Sequence, residues 1–304
     1  MGGSGSRFSA SQARQDLRDA RDEVRDNAYE TSCNNLLREL LVNYNDRDVT
    51  AVRTHVEEIE KALGKEVEGS ISLVFGGSVA KRTYVEGLSD VDALVNLANC
   101  DLADASPNEA KFYLVNRLQE RFPNTEVTES TLAVTVKFGD VEVQLLPAVT
   151  CNNSTHISNE DGTDWSPISP RQFTEALSGV NEAKGGKVVP VIKLAKAIVA
   201  TLPEQQRVSG YHAESLAVEM FGDYTGPYTL KAMVKHYFEE GARRVLTPIR
   251  DSTGQSVHVD DALGAANSLE RRRVSDALAR IARRMGNADA AGTLEGWQGL
   301  FSDE

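Results

Sequence analysis

Residues 75–95 read FGGSVAKRTYVEGLSDVDALV and bring together the residue types that phosphate chemistry uses. Ile71 to Phe75 is a short apolar run that predicts a strand, and it stops at Gly76-Gly77. Two glycines take backbone conformations closed to other residues, so their N–H groups can converge on an anion. Ser78 adds a hydroxyl donor, a helix starting near Val79 would add its N-terminal amides, and Lys81 falls one turn further on, within reach of the same phosphate. Asp90 and Asp92 then stand one residue apart at the start of a second apolar run. On a strand such residues share a face, about 6.6 Å apart along the axis. Carboxylates so placed can converge on metal ions about 3.5–4 Å apart, the spacing of two-metal phosphoryl-transfer sites. Magnesium takes few carboxylates together with phosphate oxygens and water, which suits a site completed by its substrate. Alone, a Gly-Gly-Ser loop is common and an Asp-x-Asp pair is usually a solvated strand end. The succession of strand, Gly-Gly-Ser, lysine-bearing helix and Asp-x-Asp strand is specific, and the chemistry it suits is nucleotidyl transfer.

This succession resembles the opening motif of the polymerase-β-like nucleotidyltransferase superfamily, in the branch that contains cyclic GMP-AMP synthase, oligoadenylate synthase and the bacterial cyclic-oligonucleotide synthases (CD-NTases) of antiphage CBASS systems. The phrase GGSVAKRTYVEGLSDVDALV is most similar to the bacterial enzymes, and the resemblance runs from about residue 30 to about residue 290, strongest at 75–95, 141–149 and 188–216. It implies that Asp90 and Asp92 hold Mg²⁺, with Mn²⁺ as the alternative ion, and that Gly77 and Ser78 hold the donor triphosphate. It also implies that Lys196, on the mostly apolar helix 188–197 that carries Lys193 as well, contacts that triphosphate. Val208-Ser-Gly-Tyr-His-Ala-Glu214 matches the family's serine–x–tyrosine–histidine entry into a helix. Ser209 would then donate to phosphate, and Tyr211 would stack on the nucleobase, a contact tolerant of base identity because every base has a π face. Taken without the resemblance, Lys196 is a snorkelling helix lysine and Tyr211 a core or helix-start aromatic.

Two positions depart from the family pattern. A third metal-binding carboxylate is expected from the strand Asp140-Val-Glu-Val-Gln-Leu-Leu-Pro-Ala148, where Val141, Val143 and Leu145 form the apolar face and Glu142 and Gln144 the other. Relatives usually keep the acid where Gln144 stands. An amide oxygen can ligate a hard cation but is a poor general base, so Glu142, two residues back on the same face, is the candidate third ligand and base; the alternative is a plain strand-face acid. Gly210 occupies a position where some relatives keep a second serine.

The elements that must position these groups follow from periodicity. Leu36, Leu37, Leu40 and Leu41 form one helical stripe, and Val49, Val52, Val56, Ile59 and Leu63 another. Strands are predicted at 71–75, 91–97, 132–138 and 141–147, with Pro147 ending the last, and a helix at 107–120. Cys151 to Pro170 reads as a crossover loop, and helices follow at 171–178, 187–202, 210–221, 228–240 and 266–285. With the resemblance, the fold class is α+β: a bilobed polymerase-β-like nucleotidyltransferase, its mixed β-sheet lobe with a long N-terminal spine helix joined to a helical C-terminal lobe. Residues 1–28 are expected to be flexible or peripheral, 29–160 to form the catalytic lobe, and 161–304 to complete the nucleotide pocket.

Composition narrows the function. The 304 residues carry a net charge of −12, which argues against gripping duplex nucleic acid, since that needs clustered Lys and Arg. Arg271-Arg272-Arg273 and the run Arg280 to Arg284 read as solvated helix faces. Cys33, Cys100 and Cys151 have neither a disulfide framework nor a zinc spacing, which suits a reducing cytoplasm. His55 and His236 read as structural or surface groups on amphipathic helices, and Asp251 and the loop 257–261 receive no role. There is no secretory h-region and no apolar run approaching ~18 residues, so no membrane association is expected. The resemblance implies NTP substrates (ATP, with GTP or a pyrimidine NTP beside it), a cyclic di- or trinucleotide product, a downstream effector activated by that product, and regulatory protein partners. The alternatives are a minimal nucleotidyltransferase that modifies a protein or tRNA, and a catalytically weak nucleotide-binding homologue, the latter suggested by Gln144.

Overall fold

A computed structural model of the chain describes residues 10–45, 49–64, 69–75, 78, 81–83, 85, 91–100, 102, 104–130, 132–139, 141–151, 154–159, 161–253 and 258–302. Gly77 and Asp90 of the predicted site lie outside these residues. The first helix, α1 (Ala10–Asn45), is continuous from the charge-dense start through the leucine stripe. Of the two alternatives expected there, flexible or peripheral, residues 10–28 take the peripheral, helical one, and those whose burial is described are exposed. No glycine or proline interrupts the run, and i,i+4 contacts such as Gln15 Nε2 to Asp19 Oδ1 (2.8 Å) support its exposed turns. At about 1.5 Å per residue it is about 54 Å long, and its residues described as buried are Cys33, Asn34, Leu37 and Leu41.

The sheet holds seven strands: β1 (Gly69–Phe75), β2 (Val91–Cys100), β3 (Glu126–Glu129), β4 (Val134–Phe138), β5 (Val141–Cys151), β6 (Ser154–Ser158) and β7 (Trp165–Ile168). The order is β1-β2-β5-β4-β3, with β6 paired to β5 and β7 to β6. β2 and β5 run parallel and put Asp92 beside Gln144; the other pairs are antiparallel. Alternation then decides the faces. Val91, Ala93, Val95 and Leu97 of β2, with Val143 and Leu145 of β5, are buried under α2 (Val49–Gly64) and α3 (Pro107–Arg121), where Ile59, Leu63, Leu114 and Leu118 meet them. Asp92, Glu142 and Gln144 fall on the opposite, partly open face.

Two expectations about this sheet are corrected. β5 does not stop at Pro147 but runs to Cys151. Its pairing with β4 ends at Val134–Leu145 and that with β6 begins at Ala148–Ile157, so the missing proline N–H removes a rung from neither. The predicted crossover loop contains β6 and β7. Their connection turns at Gly162 (φ +72°), while Asn159 Oδ1 accepts the amide of Thr163 at 2.9 Å.

The helical lobe comprises α4 (Pro170–Ala183), α5 (Val188–Ala200), α6 (Gly210–Gly222), α7 (Leu230–Arg244), α8 (Leu269–Ala291) and the short α9 (Glu295–Gln298). Ser209, Thr229 and Ser268 cap α6, α7 and α8 by accepting the amide three residues on. One apolar core joins Leu37 of α1, Ile192 and Ile198 of α5, Leu216 of α6, Tyr237 and Phe238 of α7, Leu278 and Met285 of α8, and Trp297. A polar tie fastens the two ends of the chain over it. Asp289 Oδ1 accepts from Tyr29 Oη (3.2 Å) and Trp297 Nε1 (3.2 Å), and Lys231 Nζ bridges Asp289 (2.9 Å) and Glu30.

Arg271 is not on a solvated face. It shares a stripe with Val274, Leu278, Ile281 and Met285 and is fully buried, while Arg272, Arg273, Arg280, Arg283 and Arg284 are exposed as expected. Its guanidinium donates to Gly264 O (2.9 Å), Val245 O (3.0 Å), Asp260 Oδ2 (2.6 Å) and Asp260 O (3.2 Å). A planar fork with several donors is the one cationic group that such a nest of acceptors can hold. Among the described residues no helix is long and apolar enough to cross a membrane.

Candidate active site

Ser78 is the first described residue after β1, and it is helical. Its amide donates to Asp92 Oδ2 at 3.3 Å across to β2, and its carbonyl accepts the Thr83 amide at 2.9 Å. The hydroxyl Oγ is buried and has no hydrogen-bond partner among the described residues. A buried hydroxyl left without a partner is costly, so the site is shaped to give it one. Burial pushes the Asp92 carboxyl above its usual range, opposed by the Ser78 amide and the charge of Lys81. Glu142 lies two residues before Gln144 on the same strand face, and pairs with its register partner on β4, Lys137, at 2.9 Å. Both groups are partly exposed, so this bond is weak and exchangeable. Among the described residues, no group of three or more His, Cys, Asp or Glu side chains is gathered as a metal centre.

The lysines converge on a residue the sequence reading passed over. Glu214, on the buried face of α6, is 1% exposed. Its Oε1 accepts from Lys196 Nζ (2.7 Å) and from the Thr83 hydroxyl, and its Oε2 pairs with Lys81. Lys196 also donates to Thr83 O at 3.2 Å. Burial alone would raise the Glu214 carboxyl, yet the two ammonium groups outweigh it and hold the group below its usual range. Arg82, between the two residues that reach Glu214, has φ +60°, an uncommon conformation for a residue with a side chain.

Tyr211 sits half-buried at the start of α6. Its hydroxyl donates to Asp251 Oδ1 (2.8 Å), its ring meets Phe173 edge-on at 4.9 Å, and Lys81 Nζ lies 5.1 Å from the centroids of both rings. Ser209 spends its oxygen on the His212 amide (3.1 Å). Gly210 runs beside Lys196, where a Cβ would come 3.5 Å from Nζ.

Of the predicted residues, the structure links Ser78 to Asp92 directly, and Lys81, Lys196 and Tyr211 through Glu214 and Lys81. Glu142 is held by Lys137 and Ser209 by its helix, each apart from that network. Glu214, Thr83 and Phe173 were missed, and Asp251 was named without a role. An acid among Ala213, Leu216 and Ala217 on an apolar helix face was the available signal for Glu214; for the others nothing local marks them.

Residues 30–181 match the domain family described as Second Messenger Oligonucleotide or Dinucleotide Synthetase (SMODS). The chain belongs to this family. It is similar to the cyclic AMP-AMP-AMP synthase of Escherichia coli (strain MS 115-1), at 27% identity over 184 residues, which is 54% of this chain and 55% of that protein. The alignment thus spans about half of that relative. Among solved structures, the SMODS chain resembles CdnG of Bradyrhizobium diazoefficiens in complex with GTP (TM-score 0.67, 15% identity, 90% of this chain and 96% of that one). It also resembles E. coli MS115-1 CdnC with ATP (TM-score 0.58, 21% identity, 86% of this chain and 92% of that one). The fold is the α+β, polymerase-β-like arrangement of the CD-NTases that the sequence led us to expect.

Proposed function

We propose that this SMODS protein is a divalent-metal-dependent nucleotidyltransferase that joins NTPs into a cyclic di- or trinucleotide second messenger, in the manner of CBASS antiphage defence. The observation that carries the reading is the buried Ser78 hydroxyl, without a partner among the described residues, on a residue bonded to Asp92 and three positions from Lys81, one of two lysines drawn together from distant parts of the chain. In this reading the donor triphosphate takes its donors from Gly77, Ser78, Lys81, Lys196 and Ser209, while Tyr211 offers a ring to the base. The 2′ or 3′ hydroxyl of an acceptor nucleotide forms a bond to the α-phosphorus, the bond to the β-phosphate oxygen breaks, and pyrophosphate leaves. Such transfer relies on positioning and on neutralising charge rather than on covalent chemistry with the protein.

The oxygens present fit a hard cation. Asp92 accepts from the Ser78 amide through one oxygen, and its register partner on the neighbouring strand is Gln144, whose residue type also offers an oxygen to a hard ion. Asp90, Asp92 and Glu142 would hold Mg²⁺, or Mn²⁺. Bound there, the ion would offset phosphate charge and lower the barrier to attack. Glu142, released from Lys137, would accept the proton of the attacking hydroxyl.

Residues 29–160 would act as the catalytic lobe and 161–304 as the lobe closing over the nucleotide, in the cytoplasm where NTPs are made. A cyclic product would act on a downstream effector, with regulatory proteins controlling its synthesis. The test is incubation with ATP, GTP, CTP and UTP and Mg²⁺, then phosphatase, with products resolved by mass. A phosphatase-resistant cyclic nucleotide is expected. A labelled macromolecule would instead mark a transferase acting on protein or tRNA. Recovery of NTPs alone would favour the second reading, a weakly catalytic nucleotide-binding homologue, for which Gln144 is the specific motive.

A more local outcome concerns Tyr211. Base stacking on an aromatic ring is worth about 1–3 kcal/mol, so Tyr211→Ala should raise the donor KM about tenfold or more. Tyr211→Phe keeps the ring and loses only the bond to Asp251, and its KM should stay within a few-fold of the parent. Steady-state kinetics over a range of donor concentrations check both; equal effects of Ala and Phe would remove the stacking role.

A further inference from the structure

We infer that Glu214 is a positioning residue for the donor triphosphate: its buried carboxylate holds the ammonium groups of Lys81 and Lys196 together where the segment after β1 meets α5 and α6. The inference rests on the nucleotidyltransferase reading above and extends it to a residue that would never itself touch phosphate, since two anions repel.

Three stretches of chain meet on this one side chain. Lys81 and Thr83 come from the segment between β1 and β2, Lys196 from α5, and Glu214 from α6. Two ammonium groups brought this close repel each other, and a carboxylate between them turns that repulsion into attraction. A carboxylate as buried as this one is in turn untenable without charged partners. The three charges therefore stand or fall together, with a net +1 toward an incoming polyanion. The cluster is also coupled to the phosphate seat through the backbone. Lys196 donates to Thr83 O (3.2 Å), and the Thr83 amide donates to Ser78 O (2.9 Å), whose own amide reaches Asp92. On its other side Lys81 lies over Phe173 and Tyr211. Moving the carboxylate would thus displace both cations and the turn that presents Ser78.

Glu214→Gln keeps the shape and one acceptor for Thr83 and Lys196 but removes the charge. Its donor KM should rise about tenfold or more, with kcat falling much less than KM rises. Glu214→Asp, with the charge kept and the reach shortened by one methylene, should give an intermediate KM. A second arm needs no nucleotide: reductive methylation with formaldehyde and a borohydride, followed by peptide mass mapping. Lys81 and Lys196 should react slowly in the parent and faster in Glu214→Gln, while Lys231, buried elsewhere, keeps its rate. Should the Gln variant fail to fold, the Asp variant carries both arms. A KM within twofold of the parent, or lysine rates unchanged at 81 and 196, or rates raised equally at Lys231, would each overturn the inference. Absence of product from the parent would overturn the nucleotidyltransferase reading instead, and the methylation arm would still decide whether Glu214 holds the two lysines.

Discussion

Asp92→Ala is expected to lower product formation by 10²–10³-fold or more while leaving the melting temperature within a few degrees of the parent. The two halves of this outcome have separate causes. Groups aimed at charge that develops in a transition state are worth about 2.7–4 kcal/mol each, about 10²–10³ in rate, and Asp92 is the described carboxylate of the proposed phosphate seat. Folding, in contrast, gains little from it. Burial pushes its carboxyl upward, so the charge is held against a desolvation cost, and its described hydrogen bond is the 3.3 Å contact from Ser78. Asp92→Asn should be as inactive as the alanine variant, because it keeps the shape and removes the charge. Product mass spectrometry together with thermal melting separates the two effects. A variant retaining a tenth of the parent rate would contradict the assignment of this strand face as the reaction centre.

Arg271→Ala should produce the largest loss of stability. Removing one partner of a buried ion pair leaves the other uncompensated and costs about 3–5 kcal/mol. Here Asp260, Gly264 and Val245 would all lose their donor. At about 2–4 °C per kcal/mol for a chain of this order, the melting temperature should fall by about 10 °C. A fall under about 3 °C would mean that water replaces the guanidinium and the site is not closed.

The same cluster fixes an acid response. Burial drives His212 down to about 4, with Arg271 adding to the effect and Asp260 opposing it. The unfolded histidine titrates near 6.5, so between those values the unfolded chain binds a proton that the folded chain refuses. Stability therefore falls as pH drops from about 6.5 to about 4. Asp260 acts in the same direction lower down: burial raises its carboxyl, but Arg271 and the Ile249 amide hold it below the usual range, and its contribution is lost as pH falls through that lowered value. Urea midpoints taken from pH 7 to pH 4 should decline, and His212→Leu should flatten the limb above pH 4. An unchanged slope in that variant would show that other groups control it.

The contacts of the candidate site that the structure describes were legible where their parts are neighbours in sequence. Ser78, Lys81 and Asp92 share one segment of the chain, whose residue types alone suggest phosphate and metal, while Gly77 and Asp90 of that segment lie outside the described residues. Glu214 was not, because two of its partners, Lys81 and Thr83, lie far away: Thr83, which donates to it, precedes it by 131 residues. Pairing over such a span leaves no periodic trace. The helices of the second lobe declared themselves through apolar spacing. β6 and β7 did not, because an edge hairpin with Ser, Thr, His and Asn on it has the composition of a loop and becomes strand only by pairing with β5. Arg271 was misplaced for a related reason: a charged residue on an apolar stripe looks solvated until its acceptors, contributed by the end of α7 and the connection from α7 to α8, are brought to it.

The tie from Tyr29 through Asp289 to Trp297 sets an order of events during translation. The described buried residues of the sheet core lie between Val56 and Val149, with Trp165 packed against them, so that core can close while the later part of the protein is still being made. α1 cannot settle in the same way, because Leu37 and Cys33 belong to the other core and Tyr29 waits for Asp289. α1, made before the sheet core, is thus among the last elements to dock, and until Trp297 emerges its leucine stripe is the surface that nascent-chain chaperones would meet.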